Sequence, residues 1–194
     1  EIITSDWSSD VCSSDLIAIF FAIMLVLHLL SSVIFNLLPV PIKPTIIHIP
    51  VIIASIIYGP RIGAILGTLM GLISVVTNTL VLLPTSYLFS PFVPNGNLNS
   101  LMIAMVPRIL IGITPYFVYK WMKNKPGLVL AGAVGSMTNT VFVLGGIFIL
   151  FSAVYNGDIQ AMLALVLSAN SISEMVISAI LTVAIVPALE KVKK

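Results

Sequence analysis

Residues 16–37 read LIAIFFAIMLVLHLLSSVIFNL, a stretch without a single Asp, Glu, Lys or Arg. A helix of roughly 20 predominantly apolar residues is long enough to cross the hydrocarbon core of a bilayer, which is about 30 Å thick. The stretch therefore predicts a membrane-spanning helix. Similar runs recur along the chain, so this segment decides the class of the fold.

The whole chain shares this apolar character. It is 59% hydrophobic and 8% charged, with a mean hydropathy of +1.16, whereas soluble domains are roughly 45–50% apolar and about 25% charged. This composition excludes a soluble globular protein. We predict an all-α, polytopic membrane protein with one domain over residues 16–190, a leader over 1–15 and a basic tail over 191–194.

Six apolar segments, separated by Pro, Gly, Asn and Lys, predict a bundle of six transmembrane helices. They cover residues 16–37, 45–58, 62–83, 100–121, 127–152 and 158–187. The second segment has about 14 residues, which is short for a span and fits a re-entrant or buried helix equally well.

The basic residues predict the orientation of the bundle, because Lys and Arg in short loops favour the cytoplasm. With six spans and both termini cytoplasmic, one basic residue, Lys43, falls in an outer loop, and Arg108 is set aside as intramembrane. The others fall on the inner side: Arg61, Lys120, Lys123, Lys125, Lys191, Lys193 and Lys194.

The outer loops, PVPIKP (39–44) and LPTSYLFSPFVPNGNLNS (83–100), are rich in Pro, Asn and aromatic residues rather than charge. Loops of this kind either fold over a site or form ordinary surface turns. The sequence leaves both interpretations open.

Arg108, in VPRILIG, lies inside the fourth predicted span. An arginine at the centre of a bilayer costs about 2.5–3.5 kcal/mol on insertion scales, so its side chain needs an anionic partner. Glu174 in the sixth span is the internal candidate, and the carboxylate or phosphate of a bound substrate is the external one. The two interpretations are compatible if the Arg108–Glu174 pair opens or shares its donors.

Three asparagines also lie within predicted spans: Asn78, Asn139 and Asn170. The first two occur in a shared pattern, GLISVVTNTLVLL from Gly71 and GAVGSMTNTVFVL from Gly132, with the same spacing from Gly to the Thr-Asn-Thr triplet. An intramembrane Asn can simply bond across helices, at roughly 0.6 kcal/mol on average. Three of them at a depth similar to that of Arg108 predict the lining of a polar pocket, with His48 as a residue of its rim.

Small residues recur every fourth position in two spans. Gly63, Gly67 and Gly71 allow close helix approach in the third span, and Ala18 with Ala22 does so in the first. One set can serve internal packing and the other a partner subunit, but the spacing alone does not say which.

No motif for catalysis is present in the sequence. The chain has no Gly-rich phosphate loop, no H-E-x-x-H and no paired Asp motif. We therefore expect a non-catalytic protein without cofactor or metal, and no nucleic-acid partner.

Three stretches carry a family resemblance: HIPVIIASIIYGPRIGAILGTLMGL (48–72), SPFVPNGNLNSLMIAMVPRILIGITPYFVY (90–119) and VGSMTNTVFVLGGIFIL (134–150). They resemble the substrate-binding (S) subunits of energy-coupling factor (ECF) vitamin transporters, most of all the pantothenate-specific branch. The resemblance covers roughly residues 17 to 190.

The resemblance implies a six-helix subunit of the bacterial plasma membrane that captures a vitamin from outside. Transport would require a transmembrane coupling subunit and two cytoplasmic ATPases. It also implies docking on the coupling subunit through an Ala-xxx-Ala motif in the first helix, which Ala18 and Ala22 match in spacing, and a toppling motion that delivers the substrate inward.

Pantothenate carries a carboxylate, an amide and two hydroxyls. Our hypothesis is that Arg108 binds the carboxylate and the three asparagines address the amide and hydroxyls, while Tyr87, Asn97 and His48 close the outer lid. Another vitamin, such as a thiamine precursor, folate or riboflavin, is the alternative within the class. A structural membrane protein, in which the same polar residues only join helices, is the alternative outside it.

The leader, EIITSDWSSDVCSSD (1–15), repeats an S-S-D unit and contains the single cysteine, Cys12. It shows no helical periodicity and resembles a translated adapter sequence. We expect it to be an assembly artefact or a disordered tail, with Cys12 and Trp7 outside the function.

Overall fold

The computed structural model describes residues 3–37, 46–82, 85–151 and 157–193. Within these ranges the chain is entirely helical and contains no strand. Its α-helices are α1 (Ile3–Leu37), α2 (His48–Tyr58), α3 (Pro60–Leu80), α4 (Leu98–Ile111), α5 (Thr114–Trp121), α6 (Lys125–Leu150) and α7 (Gly157–Lys193), and a short 3-10 helix covers Ser86–Leu88. The predicted all-α fold is confirmed.

Five described segments are long and apolar enough to cross a membrane: Ser13–Ile34, Pro60–Leu80, Leu98–Trp121, Lys125–Leu150 and Asn170–Lys191. Each overlaps one of the predicted spans. The prediction that both termini are cytoplasmic stays a prediction.

Helix α2 differs from the other segments in length and burial. Its 11 residues extend about 16 Å at 1.5 Å per residue, roughly half the thickness of a hydrocarbon core. All of its residues from His48 to Ile57 are buried, as expected for a helix that is apolar on every side. The structure shows α2 as a buried helix, and its crossing of the membrane stays a prediction.

The fourth predicted span, 100–121, is not one helix but two, α4 and α5, separated by Gly112 and Ile113. Pro115, in the first turn of α5, has no N–H to bond the carbonyl of Ile111, so the regular ladder stops there. The amide of Gly112 bonds the carbonyl of Ile109 at 3.0 Å as well as that of Arg108 at 3.4 Å, which tightens the last turn of α4.

Helix α1 begins at Ile3 and so includes most of the leader, where the sequence predicted no helix. Propagating an existing helix adds one hydrogen bond per residue, and the leader contains neither Pro nor Gly to interrupt it. At the other end, α7 runs to Lys193, so Lys191 of the predicted tail also lies in a helix.

Glycines bring α3 and α4 into backbone contact. A Cβ atom on Gly63 would lie 2.0 Å from the carbonyl oxygen of Gly112, and one on Gly71 would lie 3.2 Å from the carbonyl oxygen of Ala104. The glycine spacing of α3 therefore serves packing within the chain. Ala18 and Ala22 of α1, in contrast, are exposed.

Candidate functional site

A cavity of about 270 Å³ lies among α1, α3, α4, α6 and α7. Small-molecule pockets typically measure roughly 300–1,000 Å³, so the space suits a compact ligand. The polar lining residues are His28, Ser74, Thr77, Asn78, Arg108, Asn139, Thr140, Asn170 and Glu174, and the apolar ones are Ile47, Met70, Ile73, Phe89, Val143 and Leu144.

The five intramembrane polar residues selected from the sequence all line this cavity. They are Asn78 of α3, Arg108 of α4, Asn139 of α6, and Asn170 and Glu174 of α7. Their convergence from four helices follows from the cost of leaving polar side chains in lipid, which favours helix orientations that face them inward.

Arg108 lies in the last turn of α4, directly after Pro107. Because Pro107 has no N–H, the carbonyl of Ile103, four residues earlier, lacks its usual helical donor. The Nη1 atom of Arg108 donates to that carbonyl at 2.8 Å. A proline in the helix thus creates the acceptor that orients the guanidinium group.

A second contact holds the same guanidinium group. Its Cζ atom lies 5.2 Å from the centroid of the Phe89 ring, within the range of a cation–π interaction. The carboxylate of Glu174 interacts with Arg108 through its charge. The Nε atom of Arg108 is nevertheless buried without a hydrogen-bond partner, so one N–H donor is available to a ligand.

Asn139 supplies the complementary group. Its Oδ1 atom is also buried without a hydrogen-bond partner. Leaving a buried polar group unsatisfied costs about 1–3 kcal/mol. One donor and one acceptor in the same cavity favour a ligand that both accepts and donates hydrogen bonds.

Asn78 lines the cavity, but its amide is engaged with protein groups. Its Nδ2 atom donates to the carbonyl of Ser74 at 2.8 Å, and its Oδ1 atom lies 3.4 Å from the Ser86 hydroxyl, which donates to it. The first bond lies within α3, and the second joins α3 to the 3-10 helix. Asn78 and Asn139 therefore differ in the groups they offer to a ligand, although their sequence settings are alike.

The two Thr-Asn-Thr triplets place their threonines between helices. Thr77 contacts His28 of α1 at 3.1 Å, and Thr79 contacts Ser90 of the following loop at 2.6 Å. In the second triplet, Thr138 contacts Thr114 of α5, and Thr140 contacts Ser171 of α7. In each triplet the Asn lines the cavity, and the hydroxyl groups of the two flanking Thr residues contact neighbouring segments.

The described part of the segment between α3 and α4, residues 85–97, packs partly over the cavity. Phe89 of this segment lines the cavity, and Ser86, Leu88, Ser90 and Val93 are buried. The segment PVPIKP, which the sequence predicts as the other outer loop, lies outside the described residues.

Tyr87 and Asn97 belong to this covering segment but do not line the cavity. The Tyr87 ring packs edge-on against Phe151 at 6.0 Å, and partial burial raises the pKa of its phenol above the ordinary value. The carbonyl of Tyr87 accepts a bond from the Ser100 hydroxyl. Asn97 caps α4, where its side chain accepts from the amide of Ser100 at 3.2 Å.

His48 lies outside the cavity lining as well. It is buried at the start of α2, and its Nε2 atom is 2.7 Å from the hydroxyl of Ser178 on α7. Its neighbour Ile47 lines the cavity instead. The structure thus places His48 in the contact between α2 and α7.

Sequence reasoning missed His28 and Phe89. His28 interrupts the apolar stretch 16–37, and the cost of a polar side chain in lipid marks it as inward-facing by the same argument used for Arg108. Phe89 gave no such signal, because aromatic residues are common in membrane loops. In the part of the chain that the structure describes, no three His, Cys, Asp or Glu side chains come together as metal ligands.

Comparison with known proteins identifies the family of the chain. The sequence pattern of the family described as ECF transporter, substrate-specific component, matches residues 16–186. The chain is 49% identical over 183 residues to the pantothenic acid transporter PanT of Lactococcus lactis subsp. cremoris, covering 92% of this chain and 93% of that protein. It is 31% identical over 162 residues to the pantothenate transporter PanT of Leuconostoc mesenteroides subsp. mesenteroides, covering 74% and 73%. The resemblance seen in the sequence is thereby confirmed, and the chain belongs to the family of substrate-specific components of ECF transporters.

Proposed function

We propose that this chain is the substrate-specific subunit of an ECF importer for pantothenate. Two relatives are named as pantothenate transporters. The observation that carries the proposal is the pair of buried, unpartnered atoms in one cavity, the donor Nε of Arg108 and the acceptor Oδ1 of Asn139. Pantothenate offers a carboxylate to the first and hydroxyl or amide donors to the second.

The remaining lining fits the rest of that molecule. An ionised Glu174 carboxylate can only accept hydrogen bonds, so it suits a hydroxyl and repels a second carboxylate. Apolar side chains, such as Met70, Ile73 and Val143, face the methyl and methylene groups. The cavity thus favours a compact monoanion with hydroxyl groups over a flat aromatic vitamin.

Capture in this proposal needs no catalytic residue in the chain. Arg108 is already held by Ile103 and Phe89, so binding costs little ordering of its side chain. ATP hydrolysis belongs to two cytoplasmic subunits that act through a transmembrane coupling subunit. The exposed Ala18 and Ala22 of α1 suit docking on that subunit. The proposed setting is the bacterial plasma membrane, with both termini cytoplasmic and the cavity loaded from outside.

Calorimetric titration of the purified chain with pantothenate tests this function. We expect saturable heat from the wild type and a loss of affinity of about 10- to 100-fold in Arg108→Gln, the range for a hydrogen bond to a charged group. Arg61→Gln is the matched control, because Arg61 is exposed and lies outside the cavity lining. A wild-type protein that is folded but gives no heat with pantothenate would contradict the proposal.

A further inference from the structure

Among the described side chains of α1, His28 is the one that lines the cavity. Its Nε2 atom lies 3.1 Å from the hydroxyl of Thr77, which lines the same cavity on α3. A ring nitrogen can donate or accept according to its tautomer. His28 therefore holds a hydroxyl group at the wall of the cavity.

The rest of α1 is lightly embedded in the bundle. Between residues 13 and 34, only Phe20 and Met24 are buried among the described side chains. Ile19 and Leu29 are 57% and 64% exposed. The contacts of α1 with the hydrophobic core are concentrated between Ile17 and Met24. The polar contact of His28 therefore makes a large share of the attachment of α1 beside the cavity.

We propose that His28 is a substrate-binding residue, and that its bond to a ligand hydroxyl fastens α1 to the occupied cavity. The inference rests on the proposed function. Thr77 presents to His28 the same functional group that pantothenate carries twice. A ligand hydroxyl therefore replaces the Thr77 hydroxyl with the bond at His28 kept and the bond at Thr77 released. The ligand then joins α1 to the residues of α4, α6 and α7 that contact it.

This contact links the cavity to the exposed face of α1. His28 and Ala18 are ten residues apart, about 15 Å along a helix, and lie on different faces. Gain or loss of a hydrogen bond at His28 therefore changes how α1, the helix that exposes Ala18 and Ala22, packs against the bundle. A protein that contacts the exposed face of α1 can therefore distinguish the occupied cavity from the empty one.

The test combines calorimetry with amide hydrogen exchange on the full chain in lipid nanodiscs, with and without pantothenate. In the wild type, we expect pantothenate to slow exchange in α1 around residues 24–32 and in α4 around Arg108. His28→Leu should lower the affinity about three- to tenfold, the range for one hydrogen bond, and abolish the slowing in α1 while keeping it in α4. His28→Gln, which places an amide near the position of Nε2, should restore part of both effects.

Thr77→Val separates a ligand contact from a purely structural bond. It removes the protein partner of His28, so the ligand no longer displaces Thr77 and affinity should rise. A loss of affinity in Thr77→Val equal to that in His28→Leu would show that the His28–Thr77 bond itself matters, and would overturn the inference.

Two further outcomes would also overturn it: wild-type affinity in His28→Leu, or ligand-induced slowing of α1 that survives this substitution. In both cases wild-type binding stands and the proposed function is unaffected. A wild type that binds no pantothenate would refute the proposed function itself, a result distinct from these.

Discussion

A Cβ atom on Gly67 would lie 2.2 Å from the carbonyl oxygen of Arg108. Helices α3 and α4 therefore touch backbone to backbone at the residue that carries the positive charge of the cavity. The same glycine spacing that predicts close helix approach thus sets the position of Arg108 relative to Asn78 and Thr77 on α3.

Gly67→Ala should push α4 away from α3, because the added methyl group meets backbone atoms that cannot rotate aside. We expect a destabilisation of about 1–3 kcal/mol, typical of overpacking, and weaker pantothenate binding. Thermal unfolding in detergent and calorimetry measure the two effects. Gly145→Ala is the matched control, since a Cβ there meets nothing within 4 Å; equal behaviour of the two variants would contradict the packing argument.

Pro107→Ala should weaken binding without lowering stability. Alanine restores an N–H that competes with Arg108 for the carbonyl of Ile103, so the guanidinium loses its fixed orientation. The loss expected for one hydrogen bond is about three- to tenfold in affinity, measured by calorimetry beside the unfolding temperature. Pro187→Ala removes the proline inside α7, outside the cavity lining, and should leave affinity unchanged. An undiminished affinity in Pro107→Ala would show that the proline does not orient Arg108.

The carboxylate of pantothenate should account for most of the effect of Arg108. The wild type is expected to prefer pantothenate over its alcohol analogue, in which a hydroxymethyl group replaces the carboxylate. Arg108→Gln should bind both ligands with similar affinity, because the charge-assisted bond is absent in either case. If this variant keeps the full preference, another residue recognises the carboxylate.

Asn139→Leu should mainly weaken binding, whereas Asn78→Leu should lower stability. Leucine at 139 removes a buried acceptor that has no protein partner, so we expect weaker binding with an unfolding temperature at or above that of the wild type. Leucine at 78 removes the bonds to Ser74 and Ser86 and should lower the unfolding temperature. Parallel titration and unfolding of the two variants make the comparison. If Asn139→Leu loses stability and Asn78→Leu does not, Asn139 is the structural residue and Asn78 the one that offers its amide to the ligand.

The class of the fold and the charged and amide side chains of the cavity lining were predictable from sequence. A charged or amide side chain in lipid is costly wherever it lies along a helix, so Arg108, Asn139, Asn170 and Glu174 had to face the interior. Their similar depth in the predicted spans favoured a shared pocket, and the packing of α4, α6 and α7 brings them together in one cavity.

Helix boundaries were less predictable. The apolar pattern continues through Gly112 and Ile113, whereas Pro115 ends the hydrogen-bond ladder before it. The pattern of the second segment fits a span or a buried helix equally well, and only packing against its neighbours decides that α2 is buried.

The sequence by itself determined a helical membrane protein with an inward-facing set of polar residues, because burial cost belongs to each side chain alone. Only the tertiary structure decided which polar atoms have partners: Asn78 is engaged, Asn139 is not, and His28 joins the cavity. Hydrogen bonding depends on distances and directions between helices. Those are set by the contact of Gly63, Gly67 and Gly71 with α4, which residue types alone do not specify.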